Sequence, residues 1–171
     1  ELSLEEHHSS KILCDYLSKH DFKVKKGLAN LPTSFLAENK GQKSRKIGFI
    51  SEYDALPELG HACGHNIIAM ASIAAGVALN KIIGSRFCQI KIFGTPGEES
   101  GGGKVLIAKE DYFKGMDAIM MIHPSNETRA DVSFLALTEI DIEFIGKSAH
   151  ASASPEDGLN ALDAIIATFN S

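Results

Sequence analysis

Leu4, His8, Ile12, Leu13, Tyr16 and Leu17 recur at helical spacing, which predicts an amphipathic helix from about Ser3 to His20. Short β-prone runs follow at Phe22–Val24, Ser34–Glu38 and Lys46–Ser51, separated by the turn residues Gly27, Pro32 and Gly41. The uninterrupted apolar run Ile47-Gly48-Phe49-Ile50 reads as a buried strand. A loop from Glu52 to His65 carries Pro57, Gly60 and Gly64, and Asn66 is placed to cap a helix reaching about Ile83. The small residues Ala69, Ala71, Ala74, Ala75, Gly76 and Ala78 make that helix narrow enough to lie close on a sheet. Gln89–Phe93 reads as the next strand, Lys104–Glu110 as a helix and Ala118–Ile122 as another strand, a rhythm that argues for a mostly parallel sheet flanked by helices. After His123 the pattern changes. Leu135–Leu137 and the alternation of Ile140, Ile142 and Phe144 with polar neighbours read as antiparallel strands with one wet face, followed by a helix over Leu159–Phe169. The expected organisation is an α/β domain over residues 1–130 and the start of a smaller α+β unit over 131–171.

Composition narrows the function classes. With 171 residues, 44% of them hydrophobic, the chain has enough apolar surface for a sizeable core. A net charge of -5 offers duplex nucleic acid no broad positive surface, so no nucleic-acid partner is expected. The longest stretch free of charged residues and histidine, Asn66 to Asn80, falls short of the ~18 apolar residues of a membrane span, and no membrane partner is expected either. The acidic start Glu1-Leu2-Ser3-Leu4-Glu5-Glu6 lacks the pattern of a signal peptide, and three scattered cysteines do not make a disulfide framework. The expectation is a cytoplasmic protein.

Candidate chemistry gathers at the ends of strands. His61-Ala62-Cys63-Gly64-His65-Asn66, Gly97-Glu98-Glu99 and Ile122-His123-Pro124 each follow a predicted strand, and ligands of open α/β sheets bind outside the carboxyl ends of the strands. Cys63 and His65, two apart in an extended loop, would point to one side with Cα atoms ~6.5–7 Å apart. Thiolate, imidazole and carboxylate together suit zinc and can also hold manganese or cobalt. A bridging ligand such as a thiolate suits a pair of ions ~3.5–4 Å apart. A bend at Glu98-Glu99, permitted by Gly97 and Gly101-Gly102-Gly103, would let one carboxylate ligate metal while the other takes a proton from water. A phosphate loop is excluded because Gly-x4-Gly-Lys ending on Lys104 needs glycine at Glu98, and the absence of a Gly-x-Ser-x-Gly elbow argues against a serine hydrolase.

These segments resemble a known family. Glu52-Tyr53-Asp54-Ala55-Leu56-Pro57, the His61–Asn66 loop, Gly94–Lys104, His123-Pro124, Ser148-Ala149-His150-Ala151-Ser152 and Gly158-Leu159-Asn160-Ala161 run in the order found in the metallo-amidohydrolases of the aminoacylase and carboxypeptidase superfamily, peptidase family M-twenty. The branch they most resemble holds hippuricase, the plant auxin-conjugate hydrolases, aminobenzoyl-glutamate hydrolase and β-alanyl-lysine dipeptidase-like proteins. The resemblance implies two divalent metal ions, zinc first, with Cys63 as bridging ligand and His65, Glu99 and His123 as terminal ligands. It implies Glu98 as the general base toward a metal-bridged water, and His150 of a dimerisation (lid) domain as the group that steadies the oxyanion in a partner's site. Asp54 falls at an acidic position beside the metal loop. The activity implied is hydrolysis of the amide bond of an N-acyl amino acid or dipeptide by a homodimer.

Two features depart from the family. Asn66 stands where Asp is commoner, and family members run to about twice this length, with a further histidine ligand after the lid. The chain therefore reads as a fragment that stops within the lid and is inactive by itself. The alternative reading is a catalytically inert metal-binding or dimerisation module. Taken singly, Cys63 is a small buried residue, Glu98-Glu99 a solvated turn, His123 a strand closure and His150 a surface histidine; joint spacing argues otherwise for the first three, and for His150 the resemblance alone does.

Overall fold

A computed structural model describes residues 1–41, 44–83, 87–130, 132–133, 135–136, 138 and 140–171. The chain divides into two compact units, Glu1–Thr128 and Arg129–Ser171.

In the first unit, strands β1 (Lys23–Lys26), β2 (Phe35–Glu38), β3 (Lys46–Ser51), β4 (Gln89–Gly94) and β5 (Ala118–Met120) form one sheet in the order β1-β2-β4-β3-β5. β3 runs parallel to β4 and β5, whereas β2 is antiparallel to both its neighbours. Every strand but β2 thus points the same way, which is the mostly parallel sheet expected. The reversed β2 has no counterpart in the sequence reading, because a four-residue run carries no directional signal.

Three helices cover the two faces. Helix α1 (His7–Lys19) and helix α2 (His65–Ile83) pack on one face with Phe35, Ala37, Phe49, Ile90 and Ile92. Helix α3 (Gly103–Lys109) closes the other, where Ile107 meets Leu28, Leu31, Leu36 and Phe93. The strand period of two divides the work: Phe35 and Ala37 face the first core and Leu36 the second. Leu17, Phe35, Ile68, Ile90 and Ile92 are fully buried, each contributing about 1.5–3 kcal/mol. On α2 the buried positions Ile68, Ala69, Ser72, Ile73, Gly76 and Val77 keep helical spacing, and a Cβ at Gly76 would stand 2.5 Å from Ile92 Cδ1, so the small residue sets how closely helix meets sheet.

Helix ends differ from the sequence reading for local reasons. α1 begins at His7 rather than Ser3, because the Glu6 carboxylate turns away to Leu4 N, Gly97 N and Thr33 Oγ1 while Glu1 takes up the cap and accepts from His8 N and Ser9 N. α2 begins at His65, with the Gly64 carbonyl accepting from Ile67 and Ile68, so Asn66 lies inside the helix and does not cap it. α2 also continues through Lys81, which makes it longer than the uncharged stretch and long and apolar enough by composition to cross a membrane; its buried face lies on β3 and β4.

The second unit holds helix α4 (Ala161–Phe169), capped by Asn160 Oδ1 accepting from Leu162 N at 3.1 Å. The antiparallel strands expected there are not formed among the described residues. Position 137 of the 135–137 run lies outside them, and residues 140–146 make no ladder, the Lys147↔Leu159 pairing being an isolated bridge. An alternating segment becomes a strand only beside a partner. Its apolar side is nevertheless as read: Ile140, Ile142 and Phe144 line one groove with Ile165 and Phe169 of α4.

Candidate metal centre

The site forms where β3 and β4 end. β3 delivers Glu52, Tyr53 and Asp54 just past its last residue, and the alternation that buries Tyr53 in the apolar core sets Glu52 and Asp54 apart from it; all three are at most 2% exposed. β4 ends at Gly94, and the Thr95–Glu99 segment turns across the same sheet end. Gly97 has φ +66 and lies against Leu4, so neither its backbone nor its surroundings admit a side chain. Gly64, at φ +78, approaches Pro124 so closely that a Cβ would stand 2.8 Å from its Cγ, which draws the loop carrying Cys63 against His123-Pro124.

His65 is the centre of the arrangement and is 1% exposed. Its Nδ1–H donates to Asp54 Oδ1 at 2.8 Å and contacts the Asp54 carbonyl at 3.0 Å, which leaves the Nε2 lone pair facing the site. Three carboxylate oxygens surround Nε2 at 3.7 Å each: Glu52 Oε2, Glu98 Oε2 and Glu99 Oε1. Neither His65 Nε2 nor Glu52 Oε2 has a hydrogen-bond partner among the described residues. Lone pairs aimed at one another in a buried place call for a cation between them. Ligand atoms about 2.0–2.2 Å from a tetrahedral ion stand about 3.3–3.6 Å apart, close to the spacing observed. The residues present therefore fit a divalent metal. Two groups of donor atoms lie within 4.8 Å of one another, Glu52–His65–His123 and His65–Glu98–Glu99.

Of the other ligand candidates, His123 joins this cluster, while Cys63 is in neither group of donor atoms and touches it through Glu99. His123 Nδ1–H donates to the Pro124 carbonyl at 2.9 Å, which frees its Nε2, and its ring lies edge-on to His65 with centroids 6.0 Å apart. The Cys63 thiol donates to Glu99; this bond, then burial, then the charges of Glu99, Glu98 and Asp54 push it up to about 11. Asp54 ties the parts together, since its Oδ2 accepts from Glu99 N at 3.0 Å and Ser3 Oγ at 2.8 Å while Oδ1 holds His65. Glu6 clamps the same loop one residue before Glu98 by accepting from Gly97 N at 2.9 Å. Glu98 is 40% exposed, which leaves its carboxylate open to water. His150 lies in the second unit, where its Nδ1 accepts from Ala153 N at 3.1 Å in a local turn.

Glu52, paired with Lys104 of α3, is not among the residues that the sequence singles out as ligands. Two acidic residues flanking Tyr53 at the carboxyl end of a buried strand are the signal that marks it.

No protein-family model matches the chain. It is similar to the Xaa-Arg dipeptidase of Mus musculus, with 40% identity over 149 residues, 81% of this chain and 35% of that one. It is also similar to a component chain of the p-aminobenzoyl-glutamate hydrolase of Escherichia coli, with 33% identity over 186 residues, 96% of this chain and 38% of that one. Its homologues are the M-twenty metallopeptidases. Among solved structures, a dinuclear metal-binding peptidase of this family from Bacillus subtilis superposes with a TM-score of 0.61 at 24% identity, covering 70% of this chain and 37% of that one, which shows a shared fold. The M-twenty homologues are hydrolases of amide bonds, and the chain spans about two fifths of the length of the curated relatives it matches.

Proposed function

We propose that this chain carries the metal-binding half of the catalytic centre of an amidohydrolase or dipeptidase that cleaves N-acyl amino acids or dipeptides. The observation that carries the reading is the buried His65 Nε2 lone pair among three carboxylate oxygens at 3.7 Å with no donor between them. Cys63, His65, Glu99 and His123 would hold two divalent ions, zinc first and manganese or cobalt otherwise. When bound, such ions polarise the scissile carbonyl and make water acidic enough to attack near neutral pH.

The chain's own residues supply the rest. Glu98, the most exposed of the three carboxylates around His65, takes the proton of the attacking water and returns it to the leaving amine. Asp54 fixes the His65 ring and tautomer from behind, and through Glu99 N it fixes the loop that presents Glu98. His150, brought by the lid unit of a homodimer, steadies the oxyanion of the tetrahedral intermediate. The small-molecule substrate class, the acidic net charge and the reduced cysteines Cys14 and Cys88 support a cytoplasmic enzyme without nucleic-acid or membrane partners.

In the full-length protein, Glu98→Ala is expected to lower kcat by about 10²–10⁴-fold with metal content unchanged by elemental analysis. Unaltered turnover would remove Glu98 from the reaction. Chelation followed by dialysis against zinc should abolish and then restore hydrolysis of a dipeptide panel.

A further inference from the structure

Glu52 is a charged group that the reaction proposed above does not use. Its side chain is 1% exposed, one oxygen pairs with Lys104 Nζ, and the other, Oε2, has no hydrogen-bond partner among the described residues. That oxygen stands 3.7 Å from His65 Nε2, too far for a hydrogen bond, and belongs to the one donor group that also contains His123. A purely structural ion pair would turn its second oxygen to a donor, whereas this Oε2 faces His65 Nε2, which is equally without a partner among the described residues. Because Asp54 takes the Nδ1 proton of His65 and the Pro124 carbonyl takes that of His123, both imidazoles offer acceptors only. Three acceptor atoms, from the end of β3, the first turn of α2 and the segment after β5, converge, and neither His65 Nε2 nor Glu52 Oε2 meets a donor among the described residues.

We infer that Glu52 is a ligand of the ion held by His65 and His123, with Lys104 pinning its other oxygen so that a single oxygen is presented. This rests on the reading of the site as a metal centre. It adds an anionic oxygen to a neutral imidazole pair, and it gives α3 a purpose at the site: Lys104 reaches from the helix, past the Gly101-Gly102-Gly103 bend, to the end of β3. The lysine also supplies the carboxylate with a counter-charge while no ion is bound.

The test uses the full-length protein with zinc alone as probe, titrated against a chromophoric chelator. Wild type is expected to bind two zinc ions, and Glu52→Gln, equal in shape, is expected to weaken one of them about tenfold or more while retaining the other. Lys104→Met leaves Glu52 buried without its counter-charge in the metal-free protein, so the rise in Tm on adding zinc should exceed that of wild type. Equal zinc affinity and stoichiometry in wild type and Glu52→Gln overturn the inference and leave the metal centre standing. Should Glu52→Gln fail to fold, a zinc-induced Tm rise in Lys104→Met no greater than in wild type overturns it. A wild type that binds no zinc overturns the metal reading itself, and the inference with it.

Discussion

At the scale of single residues, the site depends on which atoms carry protons. The Cys63 thiol is held protonated, up to about 11 from an ordinary 9.0, first by its bond to the Glu99 carboxylate. A raised pKa stabilises the folded, metal-free protein below pH 9, and that contribution is lost as the pH rises through about 11. Alkylation of Cys63 in the chelated protein should accordingly climb with pH between 8 and about 11, read by mass spectrometry; a plateau by pH 9 would contradict it. In the site proposed, ligation by Cys63 would expel this proton, so metal uptake should release acid and weaken as the pH falls. Asp54 makes no contact with substrate in the reaction proposed, yet Asp54→Asn should lower zinc affinity about 10–100-fold, because the ring it orients loses its anionic partner.

At the scale of elements, the loops that carry the proposed ligands are held by buried carboxylates at their roots. Glu6 reaches from the start of α1 to Gly97 N and Thr33 Oγ1, and Asp54 from the end of β3 to Glu99 N. The helix behind the metal loop is seated by a missing side chain: Gly76→Ala would drive a Cβ to 2.5 Å from Ile92 Cδ1. Overpacking of this kind costs about 1–3 kcal/mol, so urea unfolding of Gly76→Ala should shift to lower midpoint, against the gain that alanine gives an exposed helix position. The α2 boundary also explains a difference from the sequence reading: Asn66 has the residue type of a cap, but the Gly64 carbonyl already accepts the first helical bonds, which places His65 in the first turn with its ring turned inward. That position, one residue inside the helix, aims Nε2 at Glu98 and Glu99.

At the scale of the molecule, the two units differ in how well each covers itself. In the first, α1 and α2 on one side and α3 on the other enclose the sheet, yet the outer strand β5 is exposed along Ala118–Met120. In the second, Leu162, Ile165, Ile166 and Phe169 of α4 are all exposed. Exposed strand edges and apolar helix faces associate, so these 171 residues expressed alone should sediment as a self-associated species. What the sequence determined by itself is local: the strand at Lys46–Ser51 and the one from Gln89 are where the apolar runs lie, and Cys63, His65, Glu98, Glu99 and His123 stand out by spacing and by position after strands. These are properties of residue order, which periodicity and turn chemistry register directly. Only the tertiary structure decided the reversed direction of β2, the inward turn of His65, and the pairing of Glu52 with Lys104, fifty-two positions apart. Direction, facing and long-range partners depend on which surfaces the whole chain buries together, and no window of sequence contains that information.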